Sequence, residues 1–231
     1  MRTPQLTYTG VDILETLDRA TNYNSLLLDL ILDSSGDCKR MLDFGAGIGT
    51  FAKLLRNKGV DVVCIEPDAL LASGLVRDGF LTFNELDEVP DGSFEFVFTL
   101  NVLEHIEDDQ ATFCGLAGKL AKGGRLLIYV PAFGCLWSSL DKRLEHYRRY
   151  HRQRLERLAR SAGLTVWKTR YADSLGFFAT LGFKVFGNKN GALSVRAVDF
   201  YDRYIVPLSK SLDFVFGRLF GKNVYLIASK N

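Results

Sequence analysis

A glycine-rich stretch near the start of the chain most constrains what the protein can fold into. Residues 41–52 read Met-Leu-Asp-Phe-Gly-Ala-Gly-Ile-Gly-Thr-Phe-Ala, a short apolar strand, an acid, a glycine turn and the start of a helix. Glycine is favoured where the backbone takes positive φ or a ligand approaches closely. The helix from Thr50 directs its free N–H groups and positive dipole end at the turn. The pattern predicts a nucleotide cradle, or a tight turn that binds nothing.

The spacing of the glycines and the preceding acid narrow the kind of nucleotide. Gly45-x-Gly47-x-Gly49 is one residue tighter than the G-x-G-x-x-G fingerprint of dinucleotide sites. Asp43 lies just before the turn, where a carboxylate repels a pyrophosphate. An acid at this position suits a ligand with a cationic group, such as the amino group of a methionine moiety.

Composition sets the remaining limits. A chain of 231 residues with 47% hydrophobic and 24% charged residues predicts one ordinary globular domain, and a net charge of +2 gives no nucleic-acid signal. Four widely spaced cysteines and a polar N-terminus without an apolar signal core predict a reduced, cytoplasmic setting. No apolar run reaches the roughly 18–20 residues of a membrane span. The three histidines and scattered acids show no ligand spacing, so no metal is expected.

Helical and strand patterns alternate along the first part of the chain. Residues 11–33 are predicted as one kinked helix or two helices, and apolar strands are predicted at 40–43, 60–66, 80–83, 94–99 and 125–130. Alternation of this kind indicates an α/β fold with a parallel, doubly wound sheet. Glu66-Pro67-Asp68 ends the second strand, where ligands bind in open sheets. We expect Glu66 to accept hydrogen bonds from ribose hydroxyls, with an N-cap role for Asp68 as the alternative.

Four stretches, in order, resemble the class I S-adenosylmethionine-dependent methyltransferases. They are 42–49, 65–68, 89–106 and 120–128, and together they cover roughly residues 20–135. The resemblance implies a Rossmann-like sheet of seven strands with strand 7 antiparallel between strands 5 and 6. It assigns residues 163–170 and 223–228 to strands 6 and 7. The chain then divides into N-terminal helices (1–38), a cofactor-binding core (39–135) and a substrate-side segment (136–231).

The same resemblance implies S-adenosyl-L-methionine as the cofactor and assigns its contacts. The expected contacts run from the methionine end of the cofactor through the ribose to the adenine and the edge of the pocket. In that order the residues are Asp43, Gly45, Gly47, Glu66, Pro67, Glu85, Leu86 and Asn101. His105 is a candidate catalytic base. Its Leu-Glu-His pattern recurs with many acceptors in the family, so an architectural role is the alternative.

Residues 131–150 are expected to carry the acceptor site. Their Trp-Ser…Asp…His-x-Arg-Arg-Tyr pattern resembles a subgroup of bacterial methyltransferases of sugar and lipid-glycan pathways. His146 could remove a proton from a hydroxyl. Arg148 and Arg149 could fix a carboxylate or phosphate. Trp137 and Tyr150 complete the predicted substrate-binding set.

The aromatic-rich segment 174–222 is predicted as a helical cap between strands 6 and 7. Leu175–Phe186 carries only one charge but is too short to cross a bilayer, and a turn is expected at 187–191. The cap either packs its apolar side on the core or forms a lid for an apolar acceptor. Contact with a membrane surface is a third possibility.

The sequence therefore predicts methyl transfer to a small-molecule acceptor, a hydroxyl or other nucleophile on a sugar- or lipid-type compound. Nucleic acid is not expected as a partner. Two alternatives stay open: an NAD(P)-binding reductase, disfavoured by the glycine spacing and Asp43, and a non-catalytic cofactor-binding protein of the same fold.

Overall fold

The structure, a computed structural model, describes residues 10–186 and 194–231, and its centre is one seven-stranded sheet. The strands are β1 (Arg40–Phe44), β2 (Asp61–Ile65), β3 (Leu81–Phe83), β4 (Phe94–Leu100), β5 (Leu120–Pro131), β6 (Leu164–Ala172) and β7 (Asn223–Lys230). Their order across the sheet is β3-β2-β1-β4-β5-β7-β6. β7 is antiparallel to both of its neighbours, with Leu127 opposite Ile227 and Tyr225 opposite Arg170. The predicted fold class and the place of strand 7 are confirmed.

Helices cover both faces of the sheet and its carboxyl edge. They are α1 (Val11–Asp18), α2 (Thr21–Ser35), α3 (Thr50–Arg56), α4 (Ala69–Arg77), α5 (Asp109–Lys119), α6 (Ser139–Arg143), α7 (Arg152–Ser161), α8 (Ser174–Phe186), α9 (Val195–Phe200) and α10 (Val206–Phe216). A π-helical turn, Tyr201–Ile205, joins α9 to α10. Of the two alternatives predicted for residues 11–33, one kinked helix or two helices, the structure has two. The turn expected at 187–191 lies outside the described residues.

The core lies on both faces of the sheet, because the strands are apolar on both sides as in other covered parallel sheets. Met41 and Leu42 are adjacent on β1 and point to opposite faces. Met41 packs with the α2 and α3 side, while Leu42 packs with the α5 and α7 side. This double cover makes the sheet a rigid frame, and the ligand-binding loops follow its strand ends.

The predicted cap is observed as α8, α9 and α10. Buried Asp173 ties it to the sheet: it accepts hydrogen bonds from Tyr201 and from Ser209 Oγ at 2.9 Å, and lies 3.4 Å from Lys222 Nζ. Asp202 accepts from the backbone N–H of Tyr23 at 2.8 Å and so joins the cap to α2. Across the described ranges, no helix is long and apolar enough to cross a membrane.

Candidate functional site

The site lies where β1, β2, β4 and β5 end side by side. The glycine turn after β1 takes a left-handed backbone at all three positions, with φ of 80° at Gly45, 58° at Gly47 and 81° at Gly49. Side chains are excluded here for lack of space as well. A Cβ on Gly49 would lie 2.6 Å from Leu75 Cδ2, and one on Gly45 would lie 2.9 Å from Val102 Cγ1. The turn is therefore a bare backbone cradle, and α3 begins directly behind it.

Two buried carboxylates flank this cradle. Glu66 Oε2 accepts a hydrogen bond from Gly47 N at 2.7 Å, and Oε1 accepts one from Asp68 N at 3.0 Å. Asp68 caps α4 through the N–H groups of Leu70 and Leu71, so the N-cap role is observed for Asp68 and leaves Glu66 for the predicted ribose contact. Burial, with the neighbouring Glu66 charge adding to it, raises the pKa of Asp43 to about 8.

The cradle fits the expected cofactor. Neither Asp43 nor Glu66 forms an ion pair with any described lysine or arginine, although both are buried. Two backbone hydrogen bonds offset part of the cost of burying Glu66, but no described cation offsets the charge of either acid. The amino group of S-adenosylmethionine would supply a cation, its ribose hydroxyls would supply further donors, and a glycine backbone leaves room for both.

The other predicted cofactor residues differ in their contacts and exposure. Asn101 has a positive φ of 55° and its Oδ1 accepts from Asn223 Nδ2 at 3.3 Å, which links β4 to β7. Leu86 packs against Gly115 of α5, while Glu85 is exposed and caps a short 3-10 turn. Pro67 is exposed beside Glu66. Their contacts with the cofactor stay predictions.

A second cluster lies on the acceptor side, in the segment after β5. Asp141 is fully buried and accepts hydrogen bonds from Arg149 Nε at 2.7 Å and Arg149 Nη2 at 3.0 Å. His146 Nδ1 lies 2.9 Å from Asp141 Oδ1, and Ser138 N donates to Oδ2 at 2.8 Å. Burial opposes ionisation of Asp141, yet the bonds from His146 and Arg149 hold its pKa below the usual range.

The Asp141 carboxylate orients the His146 ring. With Nδ1–H donated to Asp141, Nε2 is left as the proton acceptor. The ring packs edge-on against His105 with centroids 4.6 Å apart, and Trp137 lies 6.5 Å away. Burial, aided by His146, lowers the pKa of His105 to about 4, so His105 is neutral near pH 7. The predicted candidates His146 and His105 are thus brought together, with His146 the better placed to accept a proton.

Glu104 was not singled out from the sequence and lies beside both histidines. It is buried, burial raises its pKa to about 8, and its Oε2 has no hydrogen-bond partner within the described chain. One ligand atom each of Glu104, His105 and His146 lie within 4.8 Å of one another, close enough to hold a metal ion. Sequence spacing missed this group because its members come from two distant segments.

The other predicted substrate ligands are bonded within the protein. Arg148 donates to the carbonyls of Ile106 and Glu107, each at 2.7 Å. Arg149 is bonded to Asp141, and the hydroxyl oxygen of buried Tyr150 lies 3.0 Å from both Leu103 O and Asp109 Oδ2, either of which can accept its one proton. These contacts join the acceptor segment to the loop after β4. Direct substrate contact by these three residues stays an untested prediction, and the geometry favours an architectural role.

Aromatic rings connect the acceptor segment to the cap. Phe133 stacks on Tyr171 with ring centroids 4.6 Å apart. Phe177 of α8 packs edge-on against Phe133, with ring centroids 5.6 Å apart. Trp137 follows in the same segment and is partly exposed. The cap and the acceptor segment therefore share one aromatic cluster.

Comparison with known proteins gives a consistent picture. A family model described as a methyltransferase domain matches residues 4–169. A protein named methyltransferase from Claviceps purpurea is 34% identical over 118 residues, which cover 48% of this chain and 36% of the relative. The chain thus spans about a third of that relative's length.

Solved structures share the fold. A SAM-dependent methyltransferase from Archaeoglobus fulgidus superimposes with a TM-score of 0.61 at 17% identity, covering 90% of this chain and 94% of its own. Geranyl diphosphate C-methyltransferase from Streptomyces coelicolor, solved with Mg²⁺, geranyl diphosphate and S-adenosyl-L-homocysteine, gives a TM-score of 0.64 at 14% identity and covers 94% and 84%. At these identities the likeness establishes the fold.

Proposed function

Because the chain belongs to the family of methyltransferase domains, we propose that it transfers a methyl group from S-adenosylmethionine to a hydroxyl of a small sugar- or lipid-type acceptor. The family excludes the NAD(P)-binding reductase that the glycine turn alone left open. The hydroxyl and the acceptor class are the new parts of the proposal. The hydroxyl rests on one observation, the Asp141–His146 pair beside the strand ends.

The cofactor is assigned to the carboxyl ends of β1, β2 and β4. Asp43 would pair with its amino group, Glu66 would accept from its ribose hydroxyls, and Asn101 would close the pocket. Leu86 and Glu85 would lie along the adenine. When bound, S-adenosylmethionine supplies a methyl group that is already activated by the positively charged sulfur. The protein then contributes position and orientation, because an activated methyl group needs little further polarisation.

The acceptor side would supply a base that removes the proton of the acceptor hydroxyl. A hydroxyl is a weak nucleophile until its proton leaves, whereas an unprotonated amine needs no base. His146 Nε2 would take the hydroxyl proton while Asp141 holds Nδ1–H and stabilises the imidazolium that forms. Arg149 keeps Asp141 ionised and in place. Trp137 and the Phe133 ring would pack on the acceptor, with His105 lining the site.

Two features support a sugar- or lipid-type acceptor. The segment with His146 resembles that of bacterial methyltransferases from sugar and lipid-glycan pathways. The same segment carries the aromatic rings of Phe133 and Trp137, the latter 6.5 Å from His146, and such rings suit the apolar faces of sugars and isoprenoid chains. One structural neighbour was solved with geranyl diphosphate, an isoprenoid of this kind.

The test replaces the proposed base and measures both halves of the site. His146→Asn should lower kcat about 10²–10⁴-fold, the usual contribution of a general base. S-adenosylhomocysteine affinity, measured by calorimetry, should stay within about twofold of the parent's, because His146 is assigned no cofactor contact. Lys142→Gln is the control and should leave kcat unchanged, since Lys142 is exposed on the same segment.

Acceptors are to be compared in pairs that differ only in the nucleophile. Sugar and isoprenoid alcohols are assayed against the corresponding amines by release of S-adenosylhomocysteine. Turnover of the alcohols supports the proposal. Turnover confined to the amines, or an unchanged kcat in His146→Asn, contradicts it.

A further inference from the structure

A groove that the proposed reaction does not use lies at the outer edge of the sheet, along β6. It encloses about 700 Å³ between β6, the start of α7 and the end of α10. Its lining combines cationic and bulky apolar side chains and includes no acid: Arg152, Lys168, Arg170, Arg218, Trp167, Phe214, Val215 and Thr169.

The four cations in the groove have no acidic partner. Within 10–186 and 194–231, none of them forms an ion pair. Arg152 Nη1 instead donates to the backbone carbonyl of Arg218 at 2.9 Å, and Lys168 Nζ lies over the Tyr225 ring at 5.6 Å. Four like charges around one groove repel one another, so their arrangement favours an anionic ligand.

Exposed apolar side chains border these cations. Phe214 is 81% exposed, Leu219 67% and Val215 63%, and Trp167 on β6 is also exposed. Side chains of this size are normally buried on folding, and a cluster of them marks an interaction surface. Apolar residues next to lysine and arginine are typical of a surface that inserts shallowly between anionic lipid headgroups.

We propose that this groove docks the protein on a bilayer that carries anionic lipids. Lys168, Arg170 and Arg218 bind headgroup phosphates, while Phe214 and Leu219 enter the boundary between headgroups and acyl chains. A second copy of the chain is a poorer occupant, because it would bring the same positive charges to the interface. The inference requires no particular acceptor and stands apart from the proposed reaction.

The groove is also connected to the acceptor side. Phe216 contacts Phe220 at 5.6 Å between ring centroids, Phe220 contacts Phe177 at 5.5 Å, and Phe177 meets Phe133. These rings form a continuous set of contacts from α10, whose end lines the groove, to Phe133 of the acceptor segment.

Vesicle flotation of the full chain tests the proposal. We expect binding to vesicles of equal phosphatidylglycerol and phosphatidylcholine, and weak binding to phosphatidylcholine alone. Lys168→Gln with Arg218→Gln should weaken partitioning roughly 30-fold, from about 1 kcal/mol per cation. Phe214→Ser with Leu219→Ser should weaken it at least tenfold, since each loses burial of a large apolar side chain.

Matched variants at the opposite edge of the sheet serve as controls. Leu70→Ser with Val76→Ser removes two exposed apolar side chains from α4, and Lys58→Gln with Arg77→Gln removes two exposed cations. Both should bind vesicles like the parent chain, and circular dichroism should show that all four double variants are folded.

Four results would overturn the proposal. The first is equal binding to both kinds of vesicle, and the second is an equal loss in control and groove variants. The third is sedimentation as a dimer that only the Phe214 and Leu219 substitutions dissociate, which would assign the surface to a second copy. The fourth is calorimetric binding of millimolar inorganic phosphate without any binding to vesicles, which would assign the groove to a soluble anion.

Discussion

The two halves of the site differ in how their charges are satisfied. On the cofactor side, Asp43 and Glu66 are buried next to a glycine backbone and have no cationic partner in the described chain. On the acceptor side, Asp141 is surrounded by Arg149, His146 and Ser138. In the proposed assignment the first half is completed by the cofactor, whereas the second is completed by the protein itself. Substitution should therefore affect binding in one half and stability in the other.

The largest effect is expected from Asp141→Asn. Loss of one partner from a buried ion pair costs about 3–5 kcal/mol, because Arg149 would keep its charge with its side chain only 6% exposed. In a chain of this size the melting temperature should fall on the order of 10 °C. Thermal unfolding followed by circular dichroism measures this.

The control for Asp141→Asn is Asp29→Asn, because Asp29 forms an exposed ion pair with Lys210 at 3.0 Å. An exposed pair contributes at most about 1 kcal/mol. An equal drop in melting temperature in both variants would contradict the expected difference between the buried and the exposed ion pair. The stability from Asp141 should also be present above pH 4 and lost as the pH falls, since its folded-state pKa is depressed.

Asp43→Asn should weaken cofactor binding and raise the melting temperature, whereas Asp141→Asn should lower the melting temperature. The lost charge-assisted bond to the cofactor's amino group, worth about 1.5–3 kcal/mol, should weaken S-adenosylhomocysteine binding some 10- to 150-fold. Without ligand at pH 9 the variant should melt a few degrees higher than the parent, because a buried carboxylate next to Glu66 is gone. Calorimetry and thermal unfolding on the same samples measure both. Unchanged affinity would contradict the assignment of Asp43.

Cofactor affinity should depend on pH through Asp43. Its pKa of about 8 in the ligand-free protein means that the carboxyl is mostly protonated at pH 7. Pairing with an ammonium group requires the ionised form, so binding should release a proton. Affinity for S-adenosylhomocysteine should therefore rise as the pH increases from 6 to 8, by up to about tenfold per unit. Calorimetry across this range should give a flat profile in Asp43→Asn; a flat profile in the parent would contradict the prediction.

The smallest effect is expected from metal removal. If His146 Nε2 accepts the acceptor's proton, it is not available as a ligand, and dialysis against EDTA should leave turnover within about twofold of the untreated enzyme. A loss of activity restored by one divalent cation would instead assign Glu104, His105 and His146 to a metal site. That result would replace the base in the proposed mechanism.

Much of the fold was predictable because its signals are local. Continuous apolar strands, the glycine turn and the acid after β2 each specify their own segment, and their order then specifies the sheet. The position of β7 between β5 and β6 came from the family resemblance, since no local pattern states which strands pair. The family match confirms the prediction of an S-adenosylmethionine-dependent methyltransferase.

The acceptor side was less predictable because its chemistry depends on distant contacts. His146 and Arg149 were identified from one short segment, but the sequence does not reveal that both side chains are hydrogen-bonded to Asp141. Glu104 and Asp173 gave no sequence signal, since an acid becomes conspicuous only once it is seen to be buried. Arg148 resembled an anion ligand until its bonds to two backbone carbonyls were visible.

Helix α1 has a kinetic consequence. Its Leu14 lies within 3.5 Å of the place a Gly47 Cβ would take, and its Asp18 accepts from Thr50 Oγ1 at 2.5 Å. At its other end, Asp12 pairs with Arg143 of α6 at 2.6 Å. One helix thus closes over the cofactor turn while holding the acceptor segment. If the cofactor lies on the glycine turn, as proposed, we expect its exchange to require opening of this bridge. The two substrates should then bind in a compulsory order, with the cofactor first and its product released last, which product-inhibition kinetics would measure.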